Sequence, residues 1–345
     1  MQAIKINVLL TGGGAPGSAG IINCLKQDNR LRIVSCDQHT DVVGKILADD
    51  FFLVPNGSHE NYGRILLEEC KKREIKIVLP LVTAELFALS RLKTDFEKAG
   101  IMVLVTEPDW LEIANNKGLL YKYLSLNGFD LPKFRLVNEI SEVGKALSEL
   151  GYPHQDVCFK PFVSNGSRGF RVVSNKTSRF DLLFGSKPGS AFITHDEAIS
   201  VLSEKSFPPL LFAQYLIGKE YSVDCLAHHG KCLMALPRLR SKMVEGISVK
   251  GVFEKNEDLI KKSEKIISML HLHGNIGIQF REDEHGKAGL LEVNPRVQGT
   301  ISAALGAGVN LPLLAIYQEL GMSFELPEVK WNTGFIRHWS EVFYN

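Results

Sequence analysis

The first 105 residues alternate short apolar runs with amphipathic stretches, and this rhythm restricts the fold more than any other feature of the chain. Residues 4–10, 32–36, 76–80 and 102–105 read as strands, and residues 18–27, 62–73 and 84–99 as helices. Within 18–27, Ile21, Ile22 and Leu25 fall on one helical face. Strand–helix alternation predicts a parallel sheet covered on both sides, because each parallel connection must cross back over the sheet. From Asn115 the rhythm changes. Helices near 117–126 and 141–150 precede strands at 157–161, 171–174, 210–215 and 221–228. A helix follows over 257–270, with Asn256 as its N-cap. Strands at 276–281 and 289–293 and a helix near 311–320 complete an α+β region. The fold class is therefore α/β plus α+β.

Composition excludes several partners. The 345 residues carry 40 Lys+Arg against 39 Asp+Glu, a net charge of +1, which gives no electrostatic case for nucleic acid or an anionic membrane. No apolar stretch approaches the roughly 18 residues needed to span a bilayer. The N-terminal apolar run flows into a glycine turn, as a first strand would and a secretory signal would not. Six scattered cysteines without a C-x-x-C pair read as reduced, mostly buried residues and point to the cytoplasm. His228-His229 and His271/His273 lack ligand spacing and read as turn or surface residues, so no zinc site is expected.

Three segments carry candidate chemistry. Gly12, Gly14 and Gly17 fit G-x-G-x-x-G between a strand and a helix, with Asp37 at the end of the second strand. This supports a nicotinamide oxidoreductase only as a minor alternative: Pro16 is atypical, and many α/β domains use such a turn simply to bring strand and helix close. Next, a strand ending near Lys160 enters a small-residue loop, 164–169, and a second strand leaves it. Backbone N–H groups up to Gly169, with the Ser167 hydroxyl, could fold over nucleotide phosphates while Lys160 reaches them as a point charge. An ordinary hairpin loop is the competing reading. Residues 210–224 supply a hairpin in which the backbone of Gln214, Tyr215 and Leu216 could meet an adenine edge and Glu220 ribose hydroxyls.

A fourth segment, 276–296, tips the balance. In 276–281, Gln279 shares a face with Gly277 and Arg281; in 290–294, Glu292 and Asn294 share the polar face. A tight turn at His285-Gly286 would set Gln279 opposite Glu292 and Gly277 opposite Asn294. One carboxylate and two amide oxygens suit Mg²⁺ shared with substrate phosphates. Arg296 would stand beside them, able to stabilise charge on a transferring phosphoryl group. Residues 236–250 read as a basic, hydroxyl-bearing loop in which Arg238 could clamp a carboxylate bidentately, with Arg240 and Ser248 nearby.

Taken in order, these segments resemble the ATP-grasp superfamily, and within it the branch of the carbamoyl phosphate synthase large subunit. The most specific motif is Glu292-Val293-Asn294-Pro295-Arg296. Residues 299–308 followed by Val309-Asn310-Leu311-Pro312 resemble the same branch, as do Ala48-Asp49 and Pro80-Leu81-Val82-Thr83-Ala84-Glu85 in the first third. The resemblance implies a Rossmann-like pre-ATP-grasp domain over 1–112, an ATP-grasp domain of two α+β subdomains over 113–325 with its lid near 154–216, and a C-terminal tail over 326–345. It implies Lys117 as a first nucleotide lysine, Lys160 as the second, and Glu85 as a substrate contact. It further implies ATP and Mg²⁺ (or Mn²⁺) as cofactors, small-molecule carboxylate and amine substrates, and a homodimer as an option. The activity implied is a carboxylate–amine (or thiol) ligase working through an acyl phosphate; a nucleotide-binding sensor subunit is the alternative. The chain has one ATP-grasp unit where carbamoyl phosphate synthase has two, and no recognisable bicarbonate segment, which argues against carbamoyl phosphate synthesis.

Overall fold

The computed structural model describes residues 5–164, 166, 168–176, 178–185, 190–244 and 246–344. Two compact units emerge. The first comprises Met1–Glu112, Glu220–Phe280 and Glu292–Asn345; the second comprises Ile113–Lys219 and Arg281–Leu291.

In the first unit the expected rhythm appears as β1 (Ile6–Leu10), α1 (Ser18–Leu25), β2 (Leu31–Asp37), α2 (Val43–Leu47), β3 (Asp50–Leu53), α3 (Tyr62–Lys72), β4 (Ile75–Leu79), α4 (Leu86–Arg91), α5 (Lys93–Lys98) and β5 (Met102–Val103). The five strands run in the order β3-β2-β1-β4-β5, and all pairings are parallel. Alternation along β1 decides the two faces. Val8 and Leu10 enter a core with Ile21, Ile22, Ile301 and Leu311, while Leu9 enters another with Tyr62, Leu66, Leu86 and Phe96. The helix expected over 84–99 is broken at Leu92. Past the break, Lys93 is buried and its Nζ donates to Val105 O at 3.1 Å and Glu107 Oε1 at 2.7 Å.

The chain passes through α6 (Pro108–Asn115) into the second unit, which holds α7 (Lys117–Leu126), β6 (Phe134–Val137), α8 (Ile140–Glu149), β7 (Val157–Pro161), β8 (Arg171–Val173), α9 (Arg179–Gly185), β9 (Phe192–Ile193), α10 (His195–Ser203) and β10 (Leu210–Gln214). Its sheet has the order β6-β10-β7-β8-β9. Capping explains the helix starts: Asn116 accepts from Gly118 N and Leu119 N, and Thr194 forms a capping box with Glu197.

The chain then forms β11 (Glu220–His228), β12 (Lys231–Val244), β13 (Ile247–Phe253), α11 (Glu257–Met269), β14 (Gly274–Glu282), β15 (Ala288–Asn294), α12 (Leu311–Glu319) and β16 (Gly334–Ile336). The second large sheet has the order β15-β14-β11-β12-β13-β16. Asn256 caps α11 as expected, accepting from Leu259 N at 3.1 Å. One expectation fails here. Residues 236–250, read as a basic loop, belong to β12 and β13, paired antiparallel with Met243 against Ser248. The arginines do not need a solvated loop, because partners on neighbouring strands neutralise them inside the sheet. The β14–β15 turn also differs from the expected two-residue form. Asp283 N bonds Lys287 O, and Asp283 Oδ1 accepts from His285 N and Lys287 N, so a longer reversal surrounds Gly286. Along β15, Ala288 and Leu290 are buried, then Leu291 and Glu292 are both half-buried before Val293 turns in again. This phase break puts Glu292 and Asn294 on the polar side despite the altered turn.

Candidate active site

Within the first unit, the polar residues of β11–β15 form a bonded array. Arg240 is its hub. Its Nε donates to Ser248 Oγ at 3.1 Å and its Nη1 to Gln279 Oε1 at 3.1 Å, while closer bonds reach Glu220 Oε1 and Gly246 O. Burial lowers the pKa of this guanidinium, and Glu220 is the foremost charge opposing that shift. Glu220, expected at a ribose, is thus ion-paired to Arg240 here. Arg238 is only 1% exposed, with Nε on Asp224 Oδ2 at 3.0 Å, Nη1 on Ser248 Oγ at 2.9 Å and Nη2 toward Gln298 Oε1 at 3.5 Å. Such a group orients its neighbours; a substrate carboxylate would have to displace these bonds to be clamped.

Glu292 and Asn294 lie on the half-buried side of β15, and Glu292 Oε1 accepts from Asn294 Nδ2 at 3.1 Å. Arg296 donates through Nε to Thr83 Oγ1 at 2.9 Å and through Nη1 to Val297 O at 2.8 Å. Burial lowers its pKa, and Glu292 and then Glu85 work in the other direction. Glu292 also acts on Arg240. One carboxylate and two amide oxygens, all hard donors carrying a single charge, fit Mg²⁺ or Mn²⁺ completed by phosphate oxygens.

Two positions behave differently from expectation. The space above Gly277 is not left for a ligand: a Cβ there would come within 1.7 Å of Gln298 Nε2. Gln298 was not foreseen, although Gly277 is the mark it leaves in the sequence. Glu85, expected to touch substrate, is 2% exposed. Its Oε1 accepts from Thr11 Oγ1 at 2.6 Å, Leu81 N at 3.0 Å and Val82 N at 2.8 Å, and its Oε2 from Tyr62 OH at 2.5 Å. Burial raises its pKa against those bonds. The glycine turn above it is likewise closed on itself. Gly14 N donates to Asp37 Oδ2 at 2.8 Å, and a Cβ on Gly17 would lie 2.3 Å from Gly299 O.

Within the second unit, Lys117 at the start of α7 is buried, and its Nζ donates to Ser164 O at 3.1 Å. Lys160 Nζ donates to Leu291 O at 2.8 Å. Gly169 has φ +75° and passes so close to Pro161 that a Cβ would meet its ring at 2.7 Å. Ser167 lies outside the described residues. After β10, Gln214 N is bonded to Lys133 O and Tyr215 N to Asp156 O, and Leu216 is buried. Gln214 and Tyr215 line a cavity of about 330 Å³ with Lys176 and Asp283. A larger cavity of about 740 Å³, between Ser125 and Glu149, holds none of the expected site residues. Cavity size does not locate the chemistry.

Comparison with known proteins agrees with this architecture. Residues 206–342 match the family "ATP-grasp in the biosynthetic pathway with Ter operon", and residues 8–104 match "PylC-like, N-terminal domain". The carbamoyl phosphate synthase large chain of Mesorhizobium japonicum is 25% identical over 233 residues, which is 61% of this chain and 19% of that one. The chain thus spans about a fifth of the length of this relative. Among solved structures, the biotin carboxylase–ATP complex of Campylobacter jejuni has a TM-score of 0.71 at 15% identity, over 97% of this chain and 75% of that one. The ADP complex of N5-carboxyaminoimidazole synthetase from Staphylococcus aureus has a TM-score of 0.68 at 16% identity, over 94% and 80%. Among the described residues no helix is long and apolar enough to cross a membrane. The chain thus carries an ATP-grasp domain after a PylC-like N-terminal domain and is homologous to the carbamoyl phosphate synthase large chain.

Proposed function

We propose that the protein is an ATP- and Mg²⁺-dependent ligase that joins a small carboxylate to an amine through an acyl phosphate. The observation that carries the reading is the donor set of the first unit: Gln279, Glu292 and Asn294 as hard oxygen ligands beside the two arginines Arg240 and Arg296. A divalent ion held there would neutralise phosphate charge and align the γ-phosphoryl group. In the second unit, Lys117 and Lys160 bind phosphate oxygens, the loop of Ser167 and Gly169 covers them, and the chain at Gln214, Tyr215 and Leu216 meets the adenine. Glu220 turns from Arg240 to the ribose when nucleotide is bound. Arg240, thereby released, and Ser248 hold the substrate carboxylate, which Arg238 positions from behind.

A carboxylate oxygen attacks the γ-phosphorus and ADP leaves, with Arg296 stabilising the charge in transfer. The amine nitrogen then attacks the acyl carbon, loses a proton and expels phosphate. Glu85 acts through the backbone it holds, at Leu81 and Val82. The structural neighbours, solved as complexes with ATP and ADP, support the nucleotide half of this reading.

The test is a panel of ¹⁸O-labelled carboxylates and amines with ATP and Mg²⁺. Phosphate release that depends on one carboxylate and carries its ¹⁸O supports the acyl phosphate; release without label, or nucleotide binding without turnover across the panel, overturns it. Lys160→Ala raises the KM for ATP about tenfold, as loss of one phosphate-bound charge of about 1.4 kcal/mol would.

A further inference from the structure

Apart from the ligase chemistry, and independent of it, the first unit gathers three imidazoles that the sequence scatters. His228 ends β11, His229 begins the turn into β12, and His273 precedes β14. One ring nitrogen from each lies within 4.8 Å of the others. The fourth histidine of these two segments, His271, packs instead at a tilt against Trp110, with ring centroids 4.7 Å apart.

Ordinary core packing leaves these rings poorly satisfied. His273 is 2% exposed, and its Nε2 is held by the carboxylate of Glu319, whose Oε2 lies 3.1 Å away at the end of α12. His228 Nδ1 is buried without a partner. The remaining nitrogen of His273, Nδ1, receives only a long bond of 3.4 Å from His229 N. A buried ring nitrogen without a hydrogen bond costs stability, and native proteins rarely keep one without a use. The backbone adds to this: His229 at φ 45° and His271 at φ 45° are two of the four described non-glycine residues in the left-handed region. Lys93, the nearby cation, acts on the cluster but is tethered to Val105 O and Glu107.

We propose that His228, His229 and His273 bind a divalent transition metal of the Zn²⁺ class, with Glu319 as the carboxylate that offsets its charge. Ligand atoms at about 2.0–2.1 Å from a tetrahedral ion stand roughly 3.3 Å apart, so side-chain rotation alone closes a 4.8 Å triad. Three nitrogens and a carboxylate select such an ion over Mg²⁺, which prefers oxygen. The ion ties the β11–β12 turn to the segment before β14 and to the end of α12.

The full-length protein, stripped with chelator, is titrated with Co²⁺ and Zn²⁺ in excess Mg²⁺. One equivalent of Co²⁺ gives intense d–d absorption of a tetrahedral ion, Zn²⁺ quenches it, and Zn²⁺ raises Tm. Glu319→Gln lowers Zn²⁺ affinity about 10–100-fold, and exposed His229→Ala, which leaves the core intact, at least as far. Glu292→Gln leaves Zn²⁺ binding unchanged, which separates this site from the proposed Mg²⁺ ligands whatever the fate of the ligase reading. Wild-type affinity in His229→Ala, a weak octahedral Co²⁺ spectrum, or binding lost in Glu292→Gln but kept in His229→Ala overturns the proposal.

Discussion

Two carboxylates of the first unit, Glu85 and Glu292, were both expected at ligands, and the structure treats them oppositely. Glu85 is buried and saturated, with four hydrogen bonds from Thr11, Tyr62 and two backbone amides and no cation among those donors. Glu292 is half-buried, accepts from the Asn294 amide, and has Arg240 and Arg296 in its field. A carboxylate enclosed by neutral donors is a fastener: its bonds are worth keeping only while nothing exchanges with them. A half-buried one among charged arginines stands where bonds can be exchanged for an ion. Residue type alone does not separate these roles; the surrounding donors do.

The sharpest way to break the comparison is to make the same substitution twice. Glu292→Gln should lower ATP-dependent phosphate release about 10²–10³-fold, the usual cost of one charge-stabilising group, with little change in Tm. Glu85→Gln should instead cost about 1–3 kcal/mol of stability in urea unfolding, because one carbonyl oxygen and an N–H₂ replace the two acceptor oxygens that take four hydrogen bonds. If Glu292→Gln unfolds the protein while Glu85→Gln spares stability, the assignments are reversed.

A second pair sharpens the same contrast between fastening and binding. At Gly17, an added methyl meets the backbone of Gly299 and the residue sits at φ +105°, so nothing flexible can yield. Gly17→Ala should cost on the order of 3 kcal/mol, from about 1–3 for the left-handed strain and about 1–3 for overpacking. At Gly277, the methyl meets only the Gln298 side chain, which can swing away. Gly277→Ala should therefore cost less, on the order of 1 kcal/mol. Equal urea midpoints for the two variants would show that Gln298 is as fixed as backbone.

The legible parts of the molecule are those fixed by neighbours in sequence. The parallel strands, the Asn256 cap and the polar face of Glu292 and Asn294 follow from period and local hydrogen bonding, which a single chain displays. Pairing across distance is what the sequence conceals. The Arg238–Arg240 stretch reads as a solvated loop until Asp224, Glu220 and Ser248 arrive on adjacent strands to neutralise it. The histidines show no ligand spacing because β11 and the segment before β14 bring them together from 44 residues apart. Gln298 is visible only indirectly, through the glycine it requires. Conversely, the G-x-G-x-x-G match is genuine as a turn, and in it Asp37 takes the Gly14 amide.

The gentlest test reads the enclosure of Glu85 through pH. Burial lifts its pKa in the folded state, so the native protein holds that proton to higher pH than the unfolded chain does. Stability from this group is complete below the unfolded value of about 4.3 and declines as pH rises through the lifted one. Asp28 has the opposite sign. The Arg30 side-chain bond, with Tyr317 assisting, holds its carboxyl well below the ordinary range. Its contribution is complete above about 3.9 and is lost as pH falls. Urea midpoints taken in steps of pH should therefore separate the two. Glu85→Gln removes the decline on the rising side alone, and Asp28→Asn the loss on the acid side alone. A Glu85→Gln profile parallel to wild type above the unfolded value would mean that its four hydrogen bonds outweigh burial, and that the carboxylate is charged where it sits.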